Sequence, residues 1–527
     1  MIEDLSSCQL PKEFATDVCV IGAGAAGISL SLTLARKGID VLLLESGGEE
    51  PDTESDELNK GEIVGLPHVG MHEGRFRALG GTTTRWGGQM LPLQEIDFEE
   101  RSWIAYSGWP IEHSSLSHYY ESALSFSGLG KSIRDDTEVW KRIALDVPYL
   151  GQGIETYVTR WCPEPNFARL YAEELKRQPS LKCILHATVT GFDSNGGRVT
   201  TLIAKNLHRQ TLIVSANRFV LCLGGIETAR CLLQPLNNGT LPPWTSDLVG
   251  RFFQDHPGIQ CADVLPKDRH TLHKFFDNIF LNGHKYQPRF RLSASAQRHL
   301  RLPNIAGIIL FQSKRSEALS ETRQFFRAML QRPTVNRAVI QSTFNAIATG
   351  SLSLLARQAW RALVQHRAFN LDDLGFRLGA QLEQVPNPNS RICLSDQCDS
   401  LGIRRAQLDW RLGNAELESI AKFAKVVKEC FRRQGIGEVI IDTDVEISSP
   451  QVLSRVRDQN HHMGTARMAY TQKYGVVDPN LRLFGTENTY VCSSAVFPTS
   501  GNSNPTHTII ALALRLADHL YLGVKSA

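Results

Sequence analysis

The sequence predicts an α/β protein, on three observations. Residues 17–21, DVCVI, form an apolar run long enough for a buried strand, and they lead into Gly22-Ala-Gly24-Ala-Ala-Gly27 and a helical segment that reaches Lys37. A second apolar run at residues 41–44 ends on an acid, Glu45, 18 residues beyond Gly27. The chain has 527 residues, 42 % of them hydrophobic and 21 % charged, which is ordinary globular usage with ample material for a core. Disorder is excluded, and the length suggests two to four domains or interleaved lobes.

Each part of the opening unit has a physical task. Gly22 permits the tight turn, Gly24 allows a pyrophosphate to approach the backbone, and Gly27 allows the helix to pack close to the strand. The helix N-terminus offers free N–H groups and the positive end of a dipole. Gly38 then stops the helix, and the Glu45 carboxylate suits the hydroxyls of an adenosine ribose. The unit calls for a dinucleotide. NAD and FAD remain equally open at this point, since the acid reads only the ribose and the turn reads only the diphosphate.

Charge and cysteine content narrow the class. Lys plus Arg is 57 against Asp plus Glu 54, a net charge of +3, so bulk charge gives no reason to expect nucleic acid as a partner. The 11 cysteines include no C-x-x-C pair, and several lie in apolar runs, as Cys19, Cys183, Cys222 and Cys492 do; buried reduced thiols are expected. With no basic-apolar leader pattern and no long uncharged apolar stretch, a cytoplasmic enzyme is the expectation.

A second glycine-rich segment, ALGGTTTRWGGQMLP at residues 78–92, cannot be a regular helix. Gly80 and Gly81 expose backbone N–H groups and Thr82 adds a hydroxyl, which suits a phosphate or the polar edge of a ring. Through this segment, the chain resembles the glucose-methanol-choline (GMC) flavoenzyme superfamily. The same likeness is carried by VCVIGAGAAG with LLLESGG, by VLCLGGIETARCLL at 220–233, VGRFFQDHP at 249–257 and QLEQVPNPNSRICLS at 381–395. It continues through NHHMGTARM and GVVDPNLRLFG to SSAVFPTSGNSNPTHTIIALALRLADHL at the C-terminal end.

The resemblance implies FAD, a Rossmann-like FAD-binding lobe assembled from separated stretches, a second α+β substrate-binding lobe, and oxidation of a CH–OH group by hydride transfer to flavin. It assigns 1–115, 180–260 and 455–527 to the FAD lobe, 116–179 to a connecting segment and 261–454 to the substrate lobe. Gly22, Gly24, Gly27 and Glu45 would hold the ADP part, Gly80, Gly81 and Thr82 would lie along the ring or diphosphate, and the backbone of Val189 would meet the adenine. The 78–92 loop is most like that of the pyranose oxidase-related members, which attach flavin through a histidine before the Trp; here Arg85 occupies that position, so non-covalent FAD is expected. The same likeness favours a sugar or sugar-like polyol as substrate, while other members take sterols or non-sugar alcohols. A nicotinamide-dependent dehydrogenase is the alternative for the fingerprint alone, and the electron acceptor is not readable.

In the pattern H-x-x-G-T-x-R-M the first histidine faces the flavin, which makes His461 the expected base, with His462 as the alternative. Asn504, before Pro505, is the expected hydrogen-bond donor to the substrate oxygen, at the start of a helix whose N-terminus would favour negative charge. No metal is expected at the His-His pair, because neighbours on a strand point to opposite faces and no other Cys, His, Asp or Glu stands at ligand spacing nearby. Glu383 and Gln384 are candidates for hydrogen-bonding a polyol. Residues 322–371 hold seven arginines and no acid and are read as a basic helical insertion, a lid on its own lobe or, alternatively, a membrane-surface contact.

Overall fold

The computed structural model describes residues 1–7, 11–314, 360–361, 364–368 and 370–525. The basic insertion expected at 322–371 falls almost entirely outside the described residues. Among those described, two eight-stranded sheets and a small three-stranded one organise the chain, and no helix is long and apolar enough to cross a membrane.

The first sheet runs Ile2–Asp4, Leu181–Leu185, Val41–Leu44, Glu13–Ile21, Thr211–Leu221, Arg198–Lys205, Thr188–Asn195, with Thr489–Val491 beside the end of Thr211–Leu221. The first five and Thr489–Val491 pair in parallel; the remaining two close the edge as an antiparallel hairpin. Val18, Cys19, Val20, Leu42 and Leu43 are completely buried, which is why these strands read as unbroken apolar runs. Register aligns Ile21 with Leu44 and with Leu221, so three strands end together. At that carboxyl edge the backbone is knitted by Gly22 N–H donating to Leu44 O and Cys222 N–H donating to Ile21 O, both at 2.8 Å. Helix α1 (Ala25–Arg36) leaves this edge and packs on the C-terminal helix Thr506–Lys525.

The second sheet is antiparallel throughout: Gly437–Ile441, Gly258–Pro266, Gly375–Leu382, Ile305–Gln312, His284–Leu292, Ile154–Trp161 and Gln89–Met90, with Ile279–Leu281 alongside His284–Leu292. A long amphipathic helix, Asn414–Arg433, buries Leu417, Ile420, Phe423, Ala424, Val427 and Phe431 in the core beneath it. The stretch 116–179, read in the sequence as a connection, supplies the strand Ile154–Trp161 to this sheet, and 1–115 supplies Gln89–Met90. The lobes therefore exchange strands. Ile154 and the consecutive Tyr157, Val158 and Thr159 are buried while polar Thr and Arg interrupt the run, so a strand this short and without a clean alternation escapes a reading that looks for long apolar runs.

Candidate active site

The two glycine-rich loops meet at the carboxyl edge of the parallel sheet. Gly22 has φ +99°, and a Cβ there would lie 2.8 Å from the Cys222 carbonyl oxygen. A Cβ on Gly27 would lie 1.8 Å from Gly22 O, so this glycine is what lets α1 sit on its own turn. Gly24 is different: a Cβ there would meet nothing within 4 Å, because the position opens onto a cavity. Gly81, φ +52°, brings the second loop against Gly24, and Gly80 N–H donates to Ala23 O at 2.9 Å, tying the loops together.

Glu45 closes the same corner. Its Oε2 accepts from Ala23 N–H at 2.8 Å and its Oε1 from Gly47 N–H at 3.0 Å. Burial raises its pKa, against the lowering effect of those backbone donors. Gly22, Gly24, Glu45, Gly81, Thr82 and Val189 line one cavity of about 620 Å³; Gly27 and Gly80 shape it from behind through packing and backbone geometry. An open cradle at Gly24, flanked by loop N–H groups and a ribose-competent carboxylate, fits the diphosphate and ribose of FAD.

The same cavity reaches His461, Asn504, Arg289, Gln381 and Trp161. His461 is held from both sides. Its backbone N–H donates to the Asp255 carboxylate at 3.0 and 3.1 Å, and its Nδ1 lies 2.8 Å from Nδ1 of His256. Across its ring, His256 Nε2 lies 2.9 Å from the carbonyl oxygen of Gly501. A carbonyl oxygen only accepts, so His256 carries its proton on Nε2 and presents a lone pair at Nδ1. His461 must then donate from Nδ1, which leaves its Nε2 lone pair as the atom open to the cavity. Burial lowers the pKa of His256, and burial followed by the nearby His256 brings that of His461 to about 3, so both rings are neutral under ordinary conditions.

His462 points away. Its imidazole stacks on Phe253, and its Nε2, with no hydrogen-bond partner, lies 3.9 Å from Asp255 Oδ2, near the buried His68. Ligand atoms of His68, Asp255 and His462 lie within 4.8 Å of one another, a spacing a metal could use, so the expectation of no metal stood on too narrow a ground: the partners come from distant sequence. Asp255 is, however, already committed to the backbone N–H groups of His256, Gln459 and His461. Burial would raise this carboxyl, but His68, then His462 and His461, hold it well below the usual carboxylate range.

Two sequence candidates are corrected. Glu383 is fully buried and pairs with Arg101, accepting from its guanidinium at 2.8 Å and from Asn304 N–H at 2.9 Å. Gln384 is fully buried too; its Oε1 accepts from Asp255 N–H and from the Trp410 indole. With these bonds made inside the protein, neither meets a polyol. In the strand just before them, Gly375–Leu382, the residue that does line the cavity is Gln381, whose amide donates to Asn502 O at 3.0 Å. His507, one turn from Asn504, is buried with Nε2 2.9 Å from the Tyr120 carbonyl oxygen and does not line the cavity. His256 and Arg289 were missed: His256 sits within the VGRFFQDHP block with nothing to mark it as a partner of His461, and Arg289 lies in a strand with no motif.

Comparison with known proteins agrees with this construction. Residues 17–243 match the family model for FAD dependent oxidoreductase, and residues 386–513 match that for GMC oxidoreductase. The fructose dehydrogenase large subunit of Gluconobacter japonicus is 23 % identical across 98 % of this chain and 99 % of its own. The 6'''-hydroxyparomomycin C oxidase of Streptomyces lividus is 24 % identical across 96 % and 92 %. Among solved structures, a fungal aryl-alcohol oxidase superposes with a TM-score of 0.59 at 14 % identity, covering 98 % of this chain and 100 % of its own. Pyridoxine 4-oxidase from Mesorbium loti does so with a TM-score of 0.57 at 15 % identity, covering 96 % and 99 %. Fold and cavity together define an FAD-dependent oxidoreductase, and this settles the choice between FAD and a nicotinamide cofactor. Within that class, residues 386–513 form a GMC oxidoreductase domain joined to the FAD-dependent oxidoreductase domain of residues 17–243.

Proposed function

We propose that this enzyme oxidises a CH–OH group of a sugar or sugar-like polyol, with His461 as the base and Asn504 as the donor to the substrate oxygen. FAD, when bound, supplies the ring that accepts the hydride. The observation that carries the reading is the His256–His461 relay, because it leaves one lone pair, on His461 Nε2, open to the cavity that the dinucleotide loops also line. That nitrogen takes the hydroxyl proton as the carbon–hydrogen bond breaks. Asn504 lines the same cavity, and its amide N–H groups stabilise charge growing on the oxygen.

Relatives named for fructose, an aminoglycoside and 2-methyl-1,2-propanediol support the hydroxylated substrate class. Arg85, standing where a tethering histidine would be, supports non-covalent FAD. Its guanidinium lies 6.0 Å from the Phe76 ring centroid, beside the cavity. Ten cysteines among the described residues are free thiols, seven of them buried, which suits a reducing compartment, and we place the enzyme in the cytoplasm.

The test is anaerobic mixing of the purified yellow enzyme with a panel of sugars, polyols and simple alcohols, following flavin bleaching. A polyol should bleach it, His461→Ala should slow bleaching by about 10²- to 10⁴-fold, and acid precipitation should release FAD into the supernatant. Bleaching that is unchanged in His461→Ala would remove His461 from the mechanism.

A further inference from the structure

The strand His284–Leu292 alternates strictly. His284, Tyr286, Pro288, Phe290 and Leu292 are buried, and Lys285, Gln287, Arg289 and Arg291 occupy the other face. Its neighbour Ile154–Trp161 sets the cross-strand pairs: Lys285 with Trp161, Gln287 with Thr159, Arg289 with Tyr157 and Arg291 with Glu155. Three of these four polar side chains have a partner on the sheet. Lys285 lies over the Trp161 ring, 3.3 Å from its centroid; Gln287 accepts from Gln89 at 3.2 Å; Arg291 meets Glu155 at 3.4 Å and lies over the Tyr157 ring.

Arg289 breaks the series. Among the described residues it meets no carboxylate, although it lines the catalytic cavity, and only Tyr157 offsets the effect of burial on its guanidinium. Its Nε and the Tyr157 hydroxyl are both buried without a hydrogen-bond partner. The Arg289 guanidinium, which lines the cavity, is therefore left with the neutral Tyr157 oxygen beside it and no anionic acceptor. A buried cation is costly unless an anion meets it, and the guanidinium fork matches carboxylate and phosphate oxygens better than any neutral hydroxyl. The charge also reaches the reacting end, for it is one of the influences that lower the His461 pKa. An anion seated on Arg289 offsets that influence, so occupancy strengthens the base.

We infer that Arg289 is the seat of an oxyanion on the substrate, so the preferred CH–OH donor is a polyol that carries a carboxylate or a phosphate. This rests on the oxidative reading above and narrows its substrate class.

The experiment titrates the oxidised holoenzyme with glucose, glucuronate and glucose 6-phosphate, reading the perturbation of flavin absorbance as binding. At least one anion should bind about 10- to 100-fold more tightly than glucose, the size of a charge-assisted hydrogen bond set against a neutral one. Which anion wins separates carboxylate from phosphate. Arg289→Gln should bring the affinity for the preferred anion down to that for glucose, with the melting temperature equal or higher, and Arg289→Lys should keep part of the preference. Glucose binding as tightly as both anions would overturn the inference. So would an Arg289→Gln variant weakened equally toward all three, which would assign the guanidinium to FAD. Anaerobic bleaching in the same samples keeps the two readings apart: an anion that binds through Arg289 but never bleaches the flavin upholds this inference and overturns the oxidation proposed above.

Discussion

The parallel sheet and the antiparallel sheet solve opposite problems in one enzyme. At the carboxyl edge of the parallel sheet, chain neighbours do the work: Gly22, Gly24 and Gly27 lie in one turn, and Glu45 reaches back to the N–H of Ala23. Around the antiparallel sheet, pairs are made across long separations, as between Arg101 and Glu383, just past the end of Gly375–Leu382, or between Arg289 and Tyr157. Local geometry leaves a pattern in the sequence. Long-range pairing leaves none, and the difference teaches where a reading of residues alone is to be trusted.

The largest expected effect falls on the long-range side. Arg101→Met strands the Glu383 carboxylate in a fully buried site and should cost about 3–5 kcal/mol, read as a lower denaturant midpoint; a cost under 1 kcal/mol would mean that the sheet does not depend on this pair. The local side is sharpened by two neighbouring glycines. Gly27→Ala collides with Gly22 O and should destabilise the protein by about 1–3 kcal/mol, whereas Gly24→Val projects into open space and should leave melting of the FAD-free protein unchanged while weakening FAD retention. Equal melting losses in both would erase the distinction. The smallest effect is on pH. A depressed group stays in its basic form until the pH falls through its own pKa, so with His461 at about 3 the rate of flavin reduction should show no imidazole step near pH 6.5 between pH 5 and 8. A step there would mean that the ring is more hydrated than its burial implies.

Legibility followed the same division. The strand-turn-helix of residues 17–37, Glu45, the 78–92 loop, His461 and Asn504 were readable because each sits in a short motif whose spacing is itself the constraint, and all of these line or shape one cavity. Glu383 and Gln384 were misread because they stand just past the strand Gly375–Leu382, where a polar pair looks the same whether it faces ligand or salt bridge; only the arrival of Arg101 and Trp410 decides it. His68, 187 residues from Asp255 and far from His462, could not be foreseen beside them. The strand Ile154–Trp161 was hidden for a related reason, since its membership in the second sheet depends on His284–Leu292, more than a hundred residues later.

The Gly501 carbonyl that fixes the proton on His256 belongs to the same short loop as Asn504, three residues onward. Base and donor are thus mechanically yoked. Anyone attempting to redesign this catalyst by shifting that loop would retune both groups in a single stroke, so directed evolution of the site should favour exchanges on the opposite sheet, where side chains vary without disturbing the yoke.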